Sequence, residues 1–281
     1  MFSNYFKLAI RNIRRNVSYT VLNVAGLTLS IASCLVIFLV VKNELTYDQY
    51  HKKSDRTYRV TLNAIDFNPS VSMAVTKAMR ADFRELEHVT QFWYHGEAMM
   101  QLGESRFNEE GLAYADNEFP RVFDFNWREG DPQTALSAPN SIVLTRTLAR
   151  KYFGDKPAMG QIIRLNNSND LQVTGIIEDL PGNTHLPFKF LVSFETIRKE
   201  MEDGPMKHFY WISGANTYIV IPENYSIAQL EKQIPAFIKK NWGENIAKEA
   251  RLPMQPLKEI HFDQRYLHNA AMPTTSRNTY I

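Results

Sequence analysis

The stretch AGLTLSIASCLVIFLVVKNEL, residues 25–45, decides the fold because it contains most of the longest charge-free run in the chain. That run extends from Asn16 to Val41, which is 26 residues. At about 1.5 Å per residue, a helix from Val21 to Val41 covers about 30 Å, the thickness of the hydrocarbon core of a bilayer. The run therefore predicts a transmembrane helix over residues 20–41.

A cleaved signal peptide is the alternative interpretation of this run. Such signals usually have an apolar run of about 7–15 residues followed by small residues at the cut. Here the run is longer and passes directly into Lys42, Asn43 and Glu44. Residues 31–34 (IASC) resemble a lipoprotein cleavage box, but the residues after Cys34 are apolar where lipoproteins carry a polar tether. Length and flanks favour an uncleaved span.

The charges beside the span predict its orientation. Arg14 and Arg15 precede it closely, whereas only Lys42 follows it closely. Because Lys and Arg near a span favour the cytoplasmic side, we expect the N-terminus to be cytoplasmic and residues 42–281 to be extracytoplasmic. The expected location is the plasma (inner) membrane.

Residues 1–19 are predicted to form an amphipathic helix at the cytoplasmic interface. One face carries the apolar side chains, and the opposite face carries the basic ones, which suits anionic lipid headgroups. The apolar face comprises Phe2, Tyr5, Phe6, Ala9, Ile10 and Ile13, and the basic face Lys7, Arg11 and Arg14. Membrane lipid is therefore an expected partner, and a fraying cytoplasmic tail is the alternative.

Small and mildly polar residues recur along one face of the predicted span at steps of three and four. They are Asn23, Gly26, Ser30, Ser33 and Cys34. Such residues let helix backbones approach closely and hydrogen-bond within lipid. The stripe predicts packing against other transmembrane helices, although chance could produce it in a lone anchor.

Composition limits the function of the 240 residues that follow the span. A net charge of +2 with 22% charged residues shows no basic excess, so no nucleic-acid partner is expected. Cys34, inside the span, is the only cysteine. Residues 42–281 therefore contain neither a disulfide nor a thiolate metal ligand.

The pattern after the span predicts an α+β fold. In residues 56–95, apolar and polar side chains first alternate, and apolar side chains then recur at helical spacing before a second strand pattern. This gives the order strand, helix, strand, and residues 216–262 repeat a similar unit. Residues 98–181 instead contain short strands with a single clear helix, TRTLARKYF, that ends at Gly154. We expect a split α+β domain from residues 42–96 and 182–281, interrupted by a small, mostly-β subdomain at 97–181.

The sequence offers no recognisable catalytic or cofactor site. GDKPAMGQ has the wrong glycine spacing for a phosphate-binding loop and a glutamine where that loop needs lysine. The seven histidines include no HExxH pair, and WISG lacks the first glycine of a nucleophile elbow. Glu109 and Glu110 would need a facing partner for acid–base work. We expect no enzyme activity, no cofactor and no metal, with His261 and His268 as a remote metal candidate.

One aromatic cluster could serve an interaction. KHFYWISG places Phe209, Tyr210 and Trp211 beside Lys207. Aromatic residues are enriched at interfaces, but burial in the core is the more common fate of such clusters.

Four stretches together resemble the MacB-like and FtsX-like permeases of ABC systems. They are the segment from Phe6 to Val60, GDPQTALSAPNSIVLTRTLARKYFGDKPAMGQIIRL, LQVTGIIEDLPGNTHLPFKFLVSF and LKEIHF. They cover most of the chain in the order that the family has them.

The resemblance implies a permease with a first span, a periplasmic core domain and further spans, driven by a cytoplasmic ABC ATPase subunit. It implies that residues 42–96 and 182–281 form the porter-like part of that core, with residues 97–181 as the inserted subdomain. It also implies a homodimer or a pseudo-dimer with another permease half, and a possible periplasmic adaptor or lipoprotein partner. Family members continue into a second span where this chain stops, so we expect the N-terminal part of an export or mechanotransmission permease. The alternatives are a single-span receptor or anchored ligand-binding domain and, more remotely, a tethered enzyme.

The resemblance also suggests how movement would leave the membrane. VVKNELTYDQYHKK contains neither glycine nor proline between the span and Ser54. The sequence therefore predicts that the helix continues outward from Val41 to Ser54 as a stiff lever.

Overall fold

The computed structural model describes residues 2–64, 66–207 and 214–266. The chain divides into two units at Thr46, Met1–Thr46 and Tyr47–Ile281, and each is described by itself.

The first unit consists of two helices, α1 (Phe2–Arg15) and α2 (Val17–Leu45). Asn16 separates them with non-helical dihedral angles (φ −122°, ψ 53°), and its side chain donates to Asn12 Oδ1 at 2.9 Å. The predicted N-terminal apolar helix is confirmed as α2, and α1 is helical as well, whereas the bounds 1–19 and 20–41 and the interfacial position of α1 stay predictions. α2 has a mean hydropathy of 2.6 in its most apolar window, with none of that window buried, and by length and composition it could cross a membrane.

The helix does not continue to Ser54, so the prediction of a continuous lever is wrong. α2 ends at Leu45, and the Thr46 N–H donates to the Lys42 carbonyl at 3.1 Å as a C-cap. Residues 47–53 form turns instead. Asp48 has a left-handed backbone (φ +55°), which a helix cannot accommodate and which Asp tolerates better than most residues.

The described residues of the second unit contain twelve strands. They are β1 (Thr57–Val60), β2 (Leu62–Asn63), β3 (Phe67–Asn68), β4 (His88–Leu102), β5 (Ser105–Ala115), β6 (Trp127–Gly130), β7 (Ser141–Thr145), β8 (Ile162–Leu165), β9 (Asn169–Ile177), β10 (Phe190–Ser193), β11 (Ala215–Val220) and β12 (Met254–Pro256). Its α-helices are α3 (Met73–Asp82), α4 (Phe119–Val122), α5 (Arg146–Phe153), α6 (Arg198–Asp203), α7 (Ile227–Trp242) and α8 (Glu244–Glu249). Short 3₁₀ turns cover Ser54–Arg56, Phe194–Thr196, Pro205–Lys207, Leu257–Glu259 and Gln264–Tyr266.

Ten of these strands form one sheet in the order β12-β1-β11-β4-β5-β10-β7-β9-β6, with β8 paired to β4 and β9. β10 runs parallel to β5 and β7 runs parallel to β9, whereas the other pairs are antiparallel. β2 and β3 form a separate ribbon. The predicted mixed α+β class is confirmed.

The sheet passes through the predicted boundaries of the inserted subdomain. The boundary at residues 96 and 97 falls within β4, where Gly96 (φ +91°) lies at a bulge against β5. β10, assigned to the returning part, lies between β5 and β7 of the inserted part. The division into porter-like and inserted parts stays a prediction.

One hydrophobic cluster is built only from the first and last parts of the second unit, whereas the sheet also continues through the middle of the chain. This cluster draws its buried members only from residues 60–89 and 219–254, including Val75, Ile219 and Phe237. A second centres on β5, β7 and β9, and a third groups aromatic residues around Phe119 and Tyr218. The ring of Tyr218 thus belongs to a hydrophobic cluster, while its hydroxyl contacts the polar residues described below.

Local signals in the sequence correspond to the helix ends. Gly154 ends α5 with φ +62°, as expected of a C-cap glycine. Ser226 and Gln229 form a capping box at the start of α7. α7 continues through Pro235 to Trp242, with Ile234 before the proline and Phe237 after it both buried in the core.

Candidate functional site

The predicted stripe on α2 has its hydroxyl groups occupied within the helix. Ser30 Oγ donates to the Gly26 carbonyl at 2.9 Å, and Ser33 Oγ donates to the Leu29 carbonyl at 2.9 Å. This back-bonding leaves close approach at Gly26, where a Cβ would meet nothing within 4 Å, as the main packing feature of the stripe. Asn23 and Cys34 lie on the same exposed helix. Helix packing through this stripe stays a prediction.

A buried carboxylate lies three residues after α2. Asp48 is fully buried, and its backbone N–H donates to the Asn183 carbonyl at 2.9 Å. Its carboxylate accepts from Thr184 Oγ1 at 2.9 Å and from the His185 backbone N–H at 3.1 Å, and it lies 2.9 Å from His185 Nδ1. Asp48 therefore fastens the turn segment 47–53 to the loop between β9 and β10.

His185 extends this contact into the centre of the sheet. Its side chain is 5% exposed, and Nε2 lies 2.8 Å from the hydroxyl of Tyr218 in β11. The sheet register places Tyr218 opposite Arg59 in β1, and Arg59 opposite Gln255 in β12. Opposed residues in antiparallel strands share one face, so these three side chains form a row across three strands.

Hydrogen bonds continue along that row. The Tyr218 hydroxyl and the Arg59 guanidinium interact electrostatically, and the guanidinium donates to Gln255 Oε1 at 3.0 and 2.7 Å. Gln255 Nε2 donates to Asp263 Oδ2 at 2.9 Å. We call the connected side chains Asp48, His185, Tyr218, Arg59, Gln255 and Asp263 the polar network. It joins the segment after α2 to the segment after β12.

The electrostatics of the polar network favour the charged carboxylate of Asp48 in its contact with His185. Burial alone would raise the pKa of Asp48, but the adjacent His185 ring and the hydrogen bonds from Thr184 and His185 hold that pKa below its usual value. Burial raises the pKa of Tyr218, and it lowers the pKa of Arg59. Loss of these donors would leave the buried carboxylate of Asp48 unpaired at a large cost in free energy. We therefore expect the contact to stay formed in the folded protein.

His51 gives the same segment a second point of attachment. Its Nδ1 accepts from the Asp124 backbone N–H at 2.9 Å, and its ring packs on Tyr50 at 4.0 Å and edge-on to Phe123 at 5.0 Å. Burial lowers the pKa of His51 to about 4. The ring is therefore neutral at physiological pH and acts as an acceptor inside the core.

The loop held by Asp48 separates two clefts. One, of about 500 Å³, includes Tyr50, Phe125 and Asn183 in its lining, and the other, of about 560 Å³, includes Lys151, Thr184 and Phe188. Both share Asp179, Leu180 and Pro181 of the loop. The hydroxyl of Thr184 accepts from Tyr50 at 3.0 Å and donates to Asp48 at 2.9 Å. The segment after α2 thus helps to position the wall between the clefts.

The other candidates from the sequence have structural roles or lie outside the described residues. Glu109 is buried in an ion pair with Lys151, close enough to Tyr152 to raise the pKa of that phenol beyond the effect of its burial, while Glu110 is exposed. His261 stacks on Tyr47, whereas His268 and the cluster Phe209, Tyr210 and Trp211 lie outside the described residues. No metal-binding group of His, Cys, Asp and Glu occurs within residues 2–64, 66–207 and 214–266.

Sequence reasoning missed the polar network. The histidines, His185 among them, suggest no role beyond metal binding in the sequence, and Asp48 lies in the segment that the sequence predicts as a helical lever. The available signal was an aspartate and a histidine in polar, turn-forming surroundings, DQYHKK and PGNTH. Nothing in the sequence pairs two residues that are 137 positions apart.

Comparison with known proteins identifies the family of this architecture. The model of the MacB-like periplasmic core domain matches residues 20–237, which is more than half of the chain. The chain therefore belongs to the family of the MacB-like periplasmic core domain.

Solved structures share the fold at low sequence identity. A domain of a protein assigned as a permease from Porphyromonas gingivalis is 20% identical, with a TM-score of 0.63 over 73% of this chain and 92% of that one. The periplasmic region of MacB from Actinobacillus actinomycetemcomitans is 12% identical, with a TM-score of 0.51 over 72% and 89%. The extracellular domain of the ABC-type transporter YknZ from Gram-positive bacteria, also 12% identical, has a TM-score of 0.47 over 69% and 99%. Among curated protein sequences, no significant match was found.

Proposed function

We propose that this chain is a subunit of an ABC-type permease that α2 anchors in the plasma membrane. The N-terminus lies in the cytoplasm in this proposal, with α1 on the inner membrane surface and residues 42–281 outside. Family membership and the length of α2 support the anchor. Arg14 and Arg15 before α2, against Lys42 alone close behind it, support the orientation.

The proposed role is mechanotransmission or export driven by a cytoplasmic ABC ATPase subunit. The chain itself supplies no catalytic group in this proposal. The stripe on α2 would pack against another span, in a homodimer or in a pseudo-dimer with another permease half. A periplasmic adaptor or a lipoprotein would receive the movement outside the membrane.

The observation that carries the proposal is the attachment of Asp48. A single residue, Thr46, separates the end of α2 from the turn segment 47–53, which Asp48 and His51 fasten to the extracytoplasmic domain. Coupling by attachment replaces the stiff lever that the sequence predicted. Movement of the span would pull directly on the loop that carries His185 and on the strand that carries Tyr218.

A flexible insertion tests this coupling without touching the polar network. We would insert Gly-Gly-Ser between Thr46 and Tyr47 in the complete permease with its ATPase. Since Gly-Ser segments behave as flexible coil, ATP hydrolysis should persist while the export or signalling output is lost. The matched control is the same insertion between Asn167 and Ser168, in the turn between β8 and β9, which should retain both.

Two outcomes would count against the proposal. Full output from the variant with the insertion after Thr46 would show that the domain acts without tight attachment to α2. Failure of any ATPase to co-purify with the chain from membranes would remove the transporter role and favour an anchored receptor.

A further inference from the structure

Three aromatic rings cluster where the segment after α2 meets the segment after β12. The Tyr47 ring stacks on the His261 ring, with centroids 3.6 Å apart and planes 9° apart. The Phe262 ring lies edge-on to His261 at 5.1 Å, and Phe262 is 50% exposed. An ion pair between Asp55 and Lys258 joins the same two segments. We call Tyr47, His261 and Phe262 the aromatic patch.

The length of α2 defines the position of Tyr47 relative to a membrane. At about 1.5 Å per residue, the 29 residues of α2 extend about 43 Å. A bilayer measures about 40–45 Å with its headgroup layers included. A helix that crosses it with Arg14 and Arg15 on the inner side therefore ends at the outer headgroups with Leu45, and Tyr47 follows two positions later.

Tilt brings the aromatic patch closer to the lipids. Transmembrane helices are tilted by about 20° on average, which shortens the depth that they cover. Leu45 then lies within the headgroup layer. Tyr47 follows Leu45 by two positions in the chain and His261 stacks on Tyr47, so the exposed Phe262 lies within reach of the same layer.

The chemistry of the aromatic patch suits a headgroup layer. Aromatic side chains with a polar atom or neighbour are enriched at membrane interfaces. The charges close to the patch in the chain are of both signs, since Lys258 pairs with Asp55 and Arg265 pairs with Asp263. This balance favours a contact with the interfacial layer in general over one that requires anionic lipid.

We propose that the aromatic patch inserts into the outer headgroup layer of the bilayer that α2 crosses. The inference rests on the proposed membrane span and adds a second membrane contact, made by the extracytoplasmic domain itself. With two contacts, α2 and Phe262, the domain cannot rotate freely about the end of the helix. Movement of α2 would then tilt the domain rather than spin it.

Fluorescence quenching by lipid tests this contact in the full chain. Cys34 is the only cysteine, so Cys34→Ala allows a single cysteine to carry an NBD dye. One variant adds Phe262→Cys, and the control adds Ile162→Cys, in β8, where the native residue is equally exposed at 50%. Both are placed in phosphatidylcholine nanodiscs with and without nitroxide-labelled lipid.

We expect quenching at position 262 to be several-fold stronger than at position 162, and strongest with a nitroxide near the headgroup. Phe262→Trp with brominated lipid should repeat the result without the dye. Equal quenching at both positions, with the protein retained in membranes after carbonate washing, would overturn the inference alone. Release of the protein by carbonate would instead overturn the membrane span on which the inference rests.

Discussion

The polar side chains of α2 and those of the polar network find their hydrogen-bond partners in opposite ways. In α2, Ser30 and Ser33 donate to carbonyls four residues earlier in the same helix. In the second unit, Asp48 contacts residues 136 and 137 positions away. The first arrangement needs no other part of the chain, whereas the second exists only after the sheet has formed. The hydroxyl groups of α2 are therefore satisfied by the helix alone, whereas the contacts of Asp48 depend on the folded domain.

The largest effect should come from removing the buried carboxylate. Asp48→Ala leaves His185 and the backbone donors without their acceptor, and breaking such a buried pair typically costs about 3–5 kcal/mol. For a unit of this size that lowers Tm by roughly 10 °C. Thermal unfolding of the full chain in detergent micelles measures it, with Asp66→Ala, an exposed aspartate, as the control. Equal Tm values for the two variants would show that Asp48 is not a structural attachment.

Acidification should weaken the attachment through His51. Its pKa is about 4 in the folded protein against 6.5 ordinarily, so between these values the unfolded chain binds more protons. The free energy of unfolding should therefore fall by about 3 kcal/mol as pH drops from about 6.5 to 4, and should not respond to this group above that range.

Chemical denaturation of the full chain at several pH values measures this slope. His51→Phe should reduce it, whereas His95→Phe, at an exposed histidine, should leave it unchanged. An unaltered slope in the His51 variant would mean that this ring is hydrated in the folded protein.

A smaller effect is expected at the centre of the sheet. Tyr218→Phe removes the hydroxyl between His185 and Arg59 but keeps the ring in its aromatic cluster. Leaving buried polar groups unsatisfied costs about 1–3 kcal/mol. Denaturant unfolding compares it with Tyr94→Phe, at a half-buried tyrosine of β4. If Tyr218→Phe is as stable as the Tyr94 variant, the polar network ends at His185.

The smallest effect concerns the self-contained helix. Gly26→Leu should weaken association between α2 helices by about 1 kcal/mol, because it fills the site of closest approach. Ala25→Leu, on the opposite side of α2, should leave association unchanged. Energy transfer between labelled α2 peptides in bilayers measures both. Equal association of the two variants would mean that the stripe Asn23, Gly26, Ser30, Ser33 and Cys34 is not a packing surface.

The same contrast explains what the sequence could predict. The ends of α5 and α7 were predictable because Gly154 and the pair Ser226 and Gln229 act on neighbouring backbone. The mixed fold followed from periodicity, and the family from ordered stretches along the chain. The helical lever failed because a tertiary contact at Asp48 outweighs the local helix preference of VVKNELTYDQYHKK. The polar network could not be predicted, since its six members lie in six separate segments that only the folded sheet brings together.

The most direct test of the attachment is hydrogen–deuterium exchange in the full chain, comparing Asp48→Asn with Asp66→Asn. Two amides report on it, because the Asp48 N–H donates to Asn183 and the His185 N–H donates to Asp48. We predict that peptides containing residues 47–53 and 183–186 lose protection together in the Asp48 variant and keep it in the control. Unchanged protection of the peptide containing His185 would contradict the claim that Asp48 fastens the segment after α2 to the domain.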